Sequence, residues 1–149
     1  SKTTSKIMSL SNPARKMSKS ESDNGTIYLL DPIEISKKKI MKALTDSENK
    51  FYYDPENKPG LSNLINIYAA LADITVDDVV NLFKDAENYG VFKRALCKLL
   101  EAELVPLQQK VVEIKKTQSY KEVLAEGATF ATEITRKKLI DVYTKIGLM

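Results

Sequence analysis

Apolar residues recur every three or four positions along most of this chain, and that period predicts a helical protein. Ile33, Ile40, Met41 and Leu44 share such a face. Asp31-Pro32-Ile33-Glu34 opens it, with an acid at the cap, proline at the first position and a second acid at N3. This first helix is expected to run to Thr45-Asp46-Ser47. Leu61, Leu64, Ile65, Tyr68, Leu71 and Ala72 mark a second helix. Thr75 caps a short third one that carries Val79, Leu82 and Phe83 and closes near Asn88-Tyr89-Gly90. A long fourth helix is predicted from Val91 towards Lys116. Pro106 cannot donate to the carbonyl of Ala102, so a kink or break is expected there. Ser119-Tyr120-Lys121-Glu122 reads as a capping box opening a fifth helix. Its Val123, Leu124, Ala131, Ile134, Val142 and Ile146 spread along one side, and Gly147 suits its end.

Two stretches escape this period. Between Ser47 and Gly60 the chain is polar, interrupted by Phe51-Tyr52-Tyr53, with turns at Asp54-Pro55 and Pro59-Gly60. Residues 1–25 are rich in Ser, Lys and Thr, and their one apolar group, Ile7-Met8-Ser9-Leu10, reads as a short strand end leaving through a turn at Ser11-Asn12-Pro13. Thr26 to Leu30 leans towards β but is short. No repeat of 20–50 residues is visible. The pattern as a whole predicts an all-α body behind an irregular basic N-terminal arm.

Composition narrows the chemistry. The 149 residues are enough for one domain, burying about two-thirds of the unfolded surface. There is no histidine, which removes His-based acid–base catalysis, Ser-His-Asp triads and most zinc sites. The single cysteine, Cys97, lies among Leu96, Leu99 and Leu100, where a small buried hydrophobe is the natural reading. One thiol excludes an intrachain disulfide and fits a reducing compartment. No apolar run reaches membrane-spanning length and no secretory core opens the chain, so a cytoplasmic setting is expected. The net charge of +3 matters less than its placement. Lys2, Lys6, Arg15, Lys16 and Lys19 all precede the first acid, Glu21, and Lys37-Lys38-Lys39 follow. A nucleotide or an RNA suits that clustering; so does a solvated basic face.

Lys16-Met17-Ser18-Lys19-Ser20 sharpens the choice. Two lysines three residues apart, spaced by small hydroxyls and close to Gly25, make either a flexible polar linker or a mobile clamp for a polyphosphate. The text downstream favours the clamp. Thr45-Asp46-Ser47-Glu48, then Lys58 to Tyr68, then Tyr89-Gly90-Val91-Phe92-Lys93, Leu104-Val105-Pro106-Leu107-Gln108 and Leu124-Ala125-Glu126-Gly127-Ala128 arrive in one order. Together with the pentapeptide they resemble the C-terminal part of the bacterial-type tryptophanyl-tRNA synthetases, class I aminoacyl-tRNA synthetases, from their KMSKS loop onward. The resemblance runs from about Ile7 to the C-terminus.

That resemblance implies a division of the chain. Residues 1–30 would end a Rossmann-type α/β catalytic domain, and residues 31–149 would form a helical bundle that binds tRNA and its anticodon. It also implies ligation of tryptophan to tRNA(Trp) through tryptophanyl-adenylate, with ATP as substrate, Mg2+ accompanying it, and a homodimeric whole enzyme. Lys16 and Lys19 would neutralise the leaving pyrophosphate. Ile7 and Met17 would lie near adenine, with Ser18 and Ser20 near phosphate. The HIGH-like element and tryptophan pocket of such an enzyme are not in this sequence, so the chain reads as one part of a longer protein and is expected to be inactive alone. Ser1, in place of a methionine, fits that reading.

Surface cations Lys37, Lys38, Lys39, Lys42, Lys93, Arg94, Lys115 and Lys116 are candidates for tRNA phosphates, of which Lys37, Lys38, Lys93 and Arg94 are singled out. Tyr52, Tyr53, Phe92 and Tyr120 are candidates for base stacking or for the core. Asp46 and Ser47 either organise the neighbouring loop or form a plain helix-ending turn. Two other functions stay open at this stage. One is a free-standing helical RNA-binding module; the other is a helical interaction protein.

Overall fold

The computed structural model describes residues 6–20 and 25–148; Lys2 and Glu21 of the basic arm lie outside them. Among the described residues there are five helices and no strand beyond one isolated bridge. They are α1 (Ile33–Lys42), α2 (Pro59–Ala72), α3 (Val76–Phe83), α4 (Tyr89–Thr117) and α5 (Tyr120–Lys145). The all-α expectation holds. The chain divides into two compact units, Ser1–Gln108 and Gln109–Met149.

The first unit is built around α2. Five consecutive residues, Leu61 to Ile65, are buried, so this helix is covered on nearly all sides. Ile40 of α1, Val79 of α3, and Phe92, Leu96 and Leu100 of α4 close around it. Phe51, Tyr68, Phe83 and Phe92 form an aromatic cluster with ring centroids 4.9–5.8 Å apart, mostly tilted or edge-on as their quadrupoles prefer. Phe92 is fully enclosed there and serves the core, not base stacking. Gly60 lets the first turn of α2 lie against the α1 exit: a methyl group there would run into the carbonyl of Leu44.

Several local expectations hold and several do not. Thr75 Oγ1 accepts from the Asp78 N–H at 3.1 Å, and Asp78 Oδ2 accepts from the Thr75 N–H at 3.0 Å, so a full capping box opens α3. α3 ends at Phe83, earlier than the spacing predicts. Asp31 does not cap α1; its carboxylate meets the ammonium of Lys39 at 3.0 Å, and Pro32 takes the cap position. α4 is one 29-residue helix running through Pro106. The carbonyl that Pro106 leaves without its helical donor belongs to Ala102, an exposed residue, and the helix continues through it.

In the second unit, Gln118 takes a left-handed backbone conformation (φ 57°) and Ser119 is already helical, so the Ser119 hydroxyl makes no cap. It meets Thr117 Oγ1 at 3.3 Å instead, and the predicted box at Ser119–Glu122 does not form. At the other end Leu148 N–H donates to Tyr143 O at 2.9 Å and Gly147 (φ 75°) donates to Thr144 O, a Schellman closure that needs glycine's freedom. α5 buries none of its residues.

Candidate functional site

The basic arm is ordered by backbone pairing. Met17 N–H donates to Ile7 O at 3.0 Å and Ser9 N–H to Arg15 O at 2.9 Å, with Met8 opposite Lys16 in an antiparallel bridge. Arg15 N–H closes the intervening turn on Asn12 O at 3.0 Å, at the Ser11-Asn12-Pro13 turn the sequence predicts. Such a narrow ribbon is marginal alone. Asn63, buried on α2, completes it: its Nδ2 donates to Met8 O at 2.8 Å and its Oδ1 accepts from Met8 N–H at 2.9 Å, as a neighbouring strand would. Leu10 O accepts from Leu44 N–H at 2.8 Å, tying the same ribbon to the end of α1. Asn63 has no role in the sequence reading. Its one signal is a polar amide inside the apolar run Leu61 to Ile65.

Beyond the ribbon the chain turns through Ser18, Lys19 and Ser20. Ser18 O accepts from Thr26 Oγ1 at 3.0 Å, and Lys19 O accepts from the Tyr28 hydroxyl at 3.4 Å. The Ser18 and Ser20 hydroxyls stand 2.9 Å apart. These contacts shape a cavity of about 330 Å³ lined by Ile7, Lys16, Met17, Ser18, Lys19, Thr26 and Ile27. Five of the six residues proposed for ATP therefore line one cavity; Ser20, the sixth, does not line it and meets the Ser18 hydroxyl. Ile7, Met17 and Ile27 give an apolar floor. Lys16 and Lys19 are exposed at the rim, and among the described residues neither joins an ion pair. An apolar floor under two unneutralised ammonium groups and a hydroxyl suits a ring with an attached polyphosphate.

The candidate tRNA cations separate by environment. Lys38, Arg94, Lys42, Lys115 and Lys116 are exposed. Lys37 is paired with Glu101 at 2.7 Å and Glu34 at 3.0 Å, and the hydrogen bonds to those carboxylates raise its pKa. Lys93 points inward: only 8% exposed, its Nζ donates to Ala43 O at 2.8 Å and Thr45 Oγ1 at 3.3 Å, and burial lowers its pKa. It closes the C-terminal end of α1, where a positive charge meets free carbonyls, and is not a surface cation. Lys39 is likewise engaged, with Thr26 O at 2.7 Å. Tyr52 and Tyr120 keep exposed faces, while Tyr53 is half-buried.

A second polar cluster holds the segment between α1 and α2. Lys58, 3% exposed, directs its ammonium to Glu48 Oε2 (2.8 Å), Lys50 O (2.9 Å), Tyr89 OH (2.9 Å) and Asp46 Oδ1 (3.1 Å), beneath the Tyr52 ring. Burial draws the Lys58 pKa down, but the hydrogen bonds to Glu48, Tyr89 and Asp46 outweigh it and leave it raised. Asp46 thus organises the loop, the first of the two roles open to it. The hydrogen bond from Lys58, then that from Lys50, brings the Glu48 carboxyl down to about 2 from 4.5. A carboxyl depressed in the folded state contributes stability above its ordinary pKa and loses it as pH falls through the folded value. Unfolding free energy is therefore expected to fall between pH 4.5 and about 2, and Glu48→Gln should flatten that slope in denaturant titrations at several pH values. An identical slope in the variant would remove Glu48 from the account.

A sequence profile described as tRNA synthetases class I (W and Y) matches residues 1–107, and the chain belongs to that family. Within it, the sequence sides with the tryptophanyl members. It is 44% identical over 147 residues to a tryptophan–tRNA ligase of Corynebacterium glutamicum and 44% identical over 147 residues to one of Mycoplasmopsis pulmonis, covering 97% and 98% of this chain. The crystal structure of tryptophanyl-tRNA synthetase from Mycoplasma pneumoniae superposes with a TM-score of 0.74 at 33% identity, over 99% of this chain and 46% of that one. The enzyme from Campylobacter jejuni, solved with ADP and tryptophan, gives 0.75 at 29% identity, over 96% of this chain and 44% of that one. The chain spans 42–43% of the length of the two curated relatives.

Proposed function

We propose that this chain supplies the phosphate clamp and the tRNA-facing helices of a tryptophan–tRNA ligase. The observation that carries the reading is the cavity in which Lys16, Ser18 and Lys19 face the apolar Ile7, Met17 and Ile27. Residues 1–30 belong to the catalytic half, and residues 31–149 form the tRNA-binding body. In the whole ligase, tryptophan's carboxylate attacks the α-phosphate of ATP, giving tryptophanyl-adenylate and pyrophosphate. The tRNA(Trp) 3′ end then takes the aminoacyl group. Negative charge grows on the departing pyrophosphate, and Lys16 and Lys19 stabilise it there, where each donor counts more than in the ground state. Ile7 and Met17 bear on adenine; Ser18, with Ser20 behind it, donates to phosphate.

Among the described residues the cavity lining offers no carboxylate, and no cluster of metal-ligating side chains occurs. A Mg2+ ion would enter bound to ATP's phosphates. Lys38 and Arg94 are the phosphate contacts for tRNA, with Lys37 partly offset by its two carboxylates. The ligase works as a homodimer in the cytoplasm, and no described helix is long and apolar enough to cross a membrane. Tryptophan-dependent ATP–pyrophosphate exchange, with and without the Lys19 ammonium, tests the reading: exchange at an unchanged rate would overturn it.

A further inference from the structure

Lys39 stands outside the cavity, yet two of its three ammonium contacts, to Thr26 and Tyr28, lead to the loop. It is on the third turn of α1, its side chain is 11% exposed, and its ammonium donates to Thr26 O at 2.7 Å and Asp31 Oδ2 at 3.0 Å. The same ammonium lies 5.0 Å from the centroid of the Tyr28 ring. Thr26 and Tyr28 are the residues whose side chains donate to Ser18 O and Lys19 O. One buried cation thus holds, from behind, the short segment that grips the loop backbone at two successive carbonyls.

We propose that Lys39 is a positioning residue: it fixes Thr26 and Tyr28, and through them the conformation of the Ser18–Lys19 backbone that sets where the two rim ammonium groups stand. The consequence for phosphate binding rests on the clamp reading above; the geometry does not. Two features favour positioning over general stability. A buried ammonium has few ways to satisfy its three donors, so its partners are geometrically specified, not merely attracted. Two of its partners, Thr26 and Tyr28, are the very residues bonded to the loop backbone, and none belongs to the aromatic core. Lys39 touches no residue of that core cluster through its ammonium.

Trypsin offers a direct reading, because Lys16 and Lys19 are themselves cleavage sites in the loop. The full 149-residue chain is digested under native conditions, and cleavage at Lys16–Met17 and Lys19–Ser20 is followed by mass spectrometry beside the thermal midpoint. Lys39→Met should speed both cleavages roughly tenfold through local opening, with helical sites such as Lys98 and Lys110 unchanged. Lys39→Arg should restore slow cleavage, since a guanidinium can reach the same acceptors. Tyr28→Phe, which removes only the hydroxyl, should speed cleavage at Lys19–Ser20 by about threefold without moving the midpoint. Unchanged loop cleavage in Lys39→Met and Tyr28→Phe would overturn the proposal. So would a lowered midpoint with cleavage rising equally at helical sites, which is what a purely structural lysine predicts. Inorganic pyrophosphate added to the wild-type chain tests the other claim separately: failure to protect the two loop bonds would count against the clamp reading and leave the contrast among variants to decide on Lys39.

Discussion

Lys19→Ala in the ligase carrying this segment should slow tryptophan-dependent pyrophosphate exchange by about a hundred- to a thousandfold, while tryptophan binds with little change. The magnitude follows from the chemistry. Removing one preorganised donor aimed at developing charge raises the barrier by roughly 3 kcal/mol. The donor in question is exposed at the rim and, among the described residues, has no competing carboxylate, so its charge is available to the ligand. In the proposed ligase tryptophan's contacts lie outside this cavity, which is why its affinity serves as the internal control. Lys16→Ala should behave alike, since Lys16 lines the same wall. Loss of tryptophan binding in step with exchange would mean that the variant had disturbed the whole site and not the pyrophosphate.

Lys58→Met is expected to destabilise the first unit by about 3 kcal/mol, the low end for removing one partner of a buried ion pair. Three acceptors besides the Lys50 carbonyl lose the Lys58 ammonium, namely Glu48, Asp46 and the Tyr89 hydroxyl, although Glu48 keeps Lys50 and the Tyr52 hydroxyl. Asp46 Oδ1 keeps the Tyr89 hydroxyl at 2.8 Å and the Glu48 N–H at 2.9 Å, but its other oxygen, Oδ2, is buried without a hydrogen-bond partner among the described residues, so the carboxylate loses its balancing charge. Glu48 is 40% exposed and recovers water, which keeps the effect from being larger. Denaturant unfolding measures it. A shift below about 1 kcal/mol, the range of a surface pair, would show that Lys58 is not the organising charge of this loop.

How far the sequence foretells the structure depends on how local the cause is. The helix period, the Thr75 cap and the Gly147 closure each depend on residues within one or two turns, and all three appear, though α1 and α3 end earlier than their spacing predicts. The Ser119 box fails for an equally local reason, because Gln118 and Ser119 adopt a tight join that turns the hydroxyl away. The lysines are harder. Lys39, Lys58 and Lys93 look like their neighbours in a basic sequence, yet each is buried or nearly so on an acceptor supplied from 8 to 50 residues away. Nothing in the local text tells an inward ammonium from a solvated one. The same holds for Asn63, whose two bonds to Met8 span 55 residues. The proposed clamp is written in five adjacent residues, and the structure brings four of them, Lys16 to Lys19, to one cavity. The lining was only partly legible: Ile27 joins the apolar floor, and Thr26 the lining, through folding alone.

Acetylation footprinting of the lysines tests the clamp most directly. With ATP bound to the ligase, Lys16 and Lys19 should lose reactivity severalfold, while Lys38 and Lys42 on α1 react as before. Lys16 and Lys19 reacting equally fast with and without ATP would contradict the assignment of this cavity to the nucleotide's phosphates.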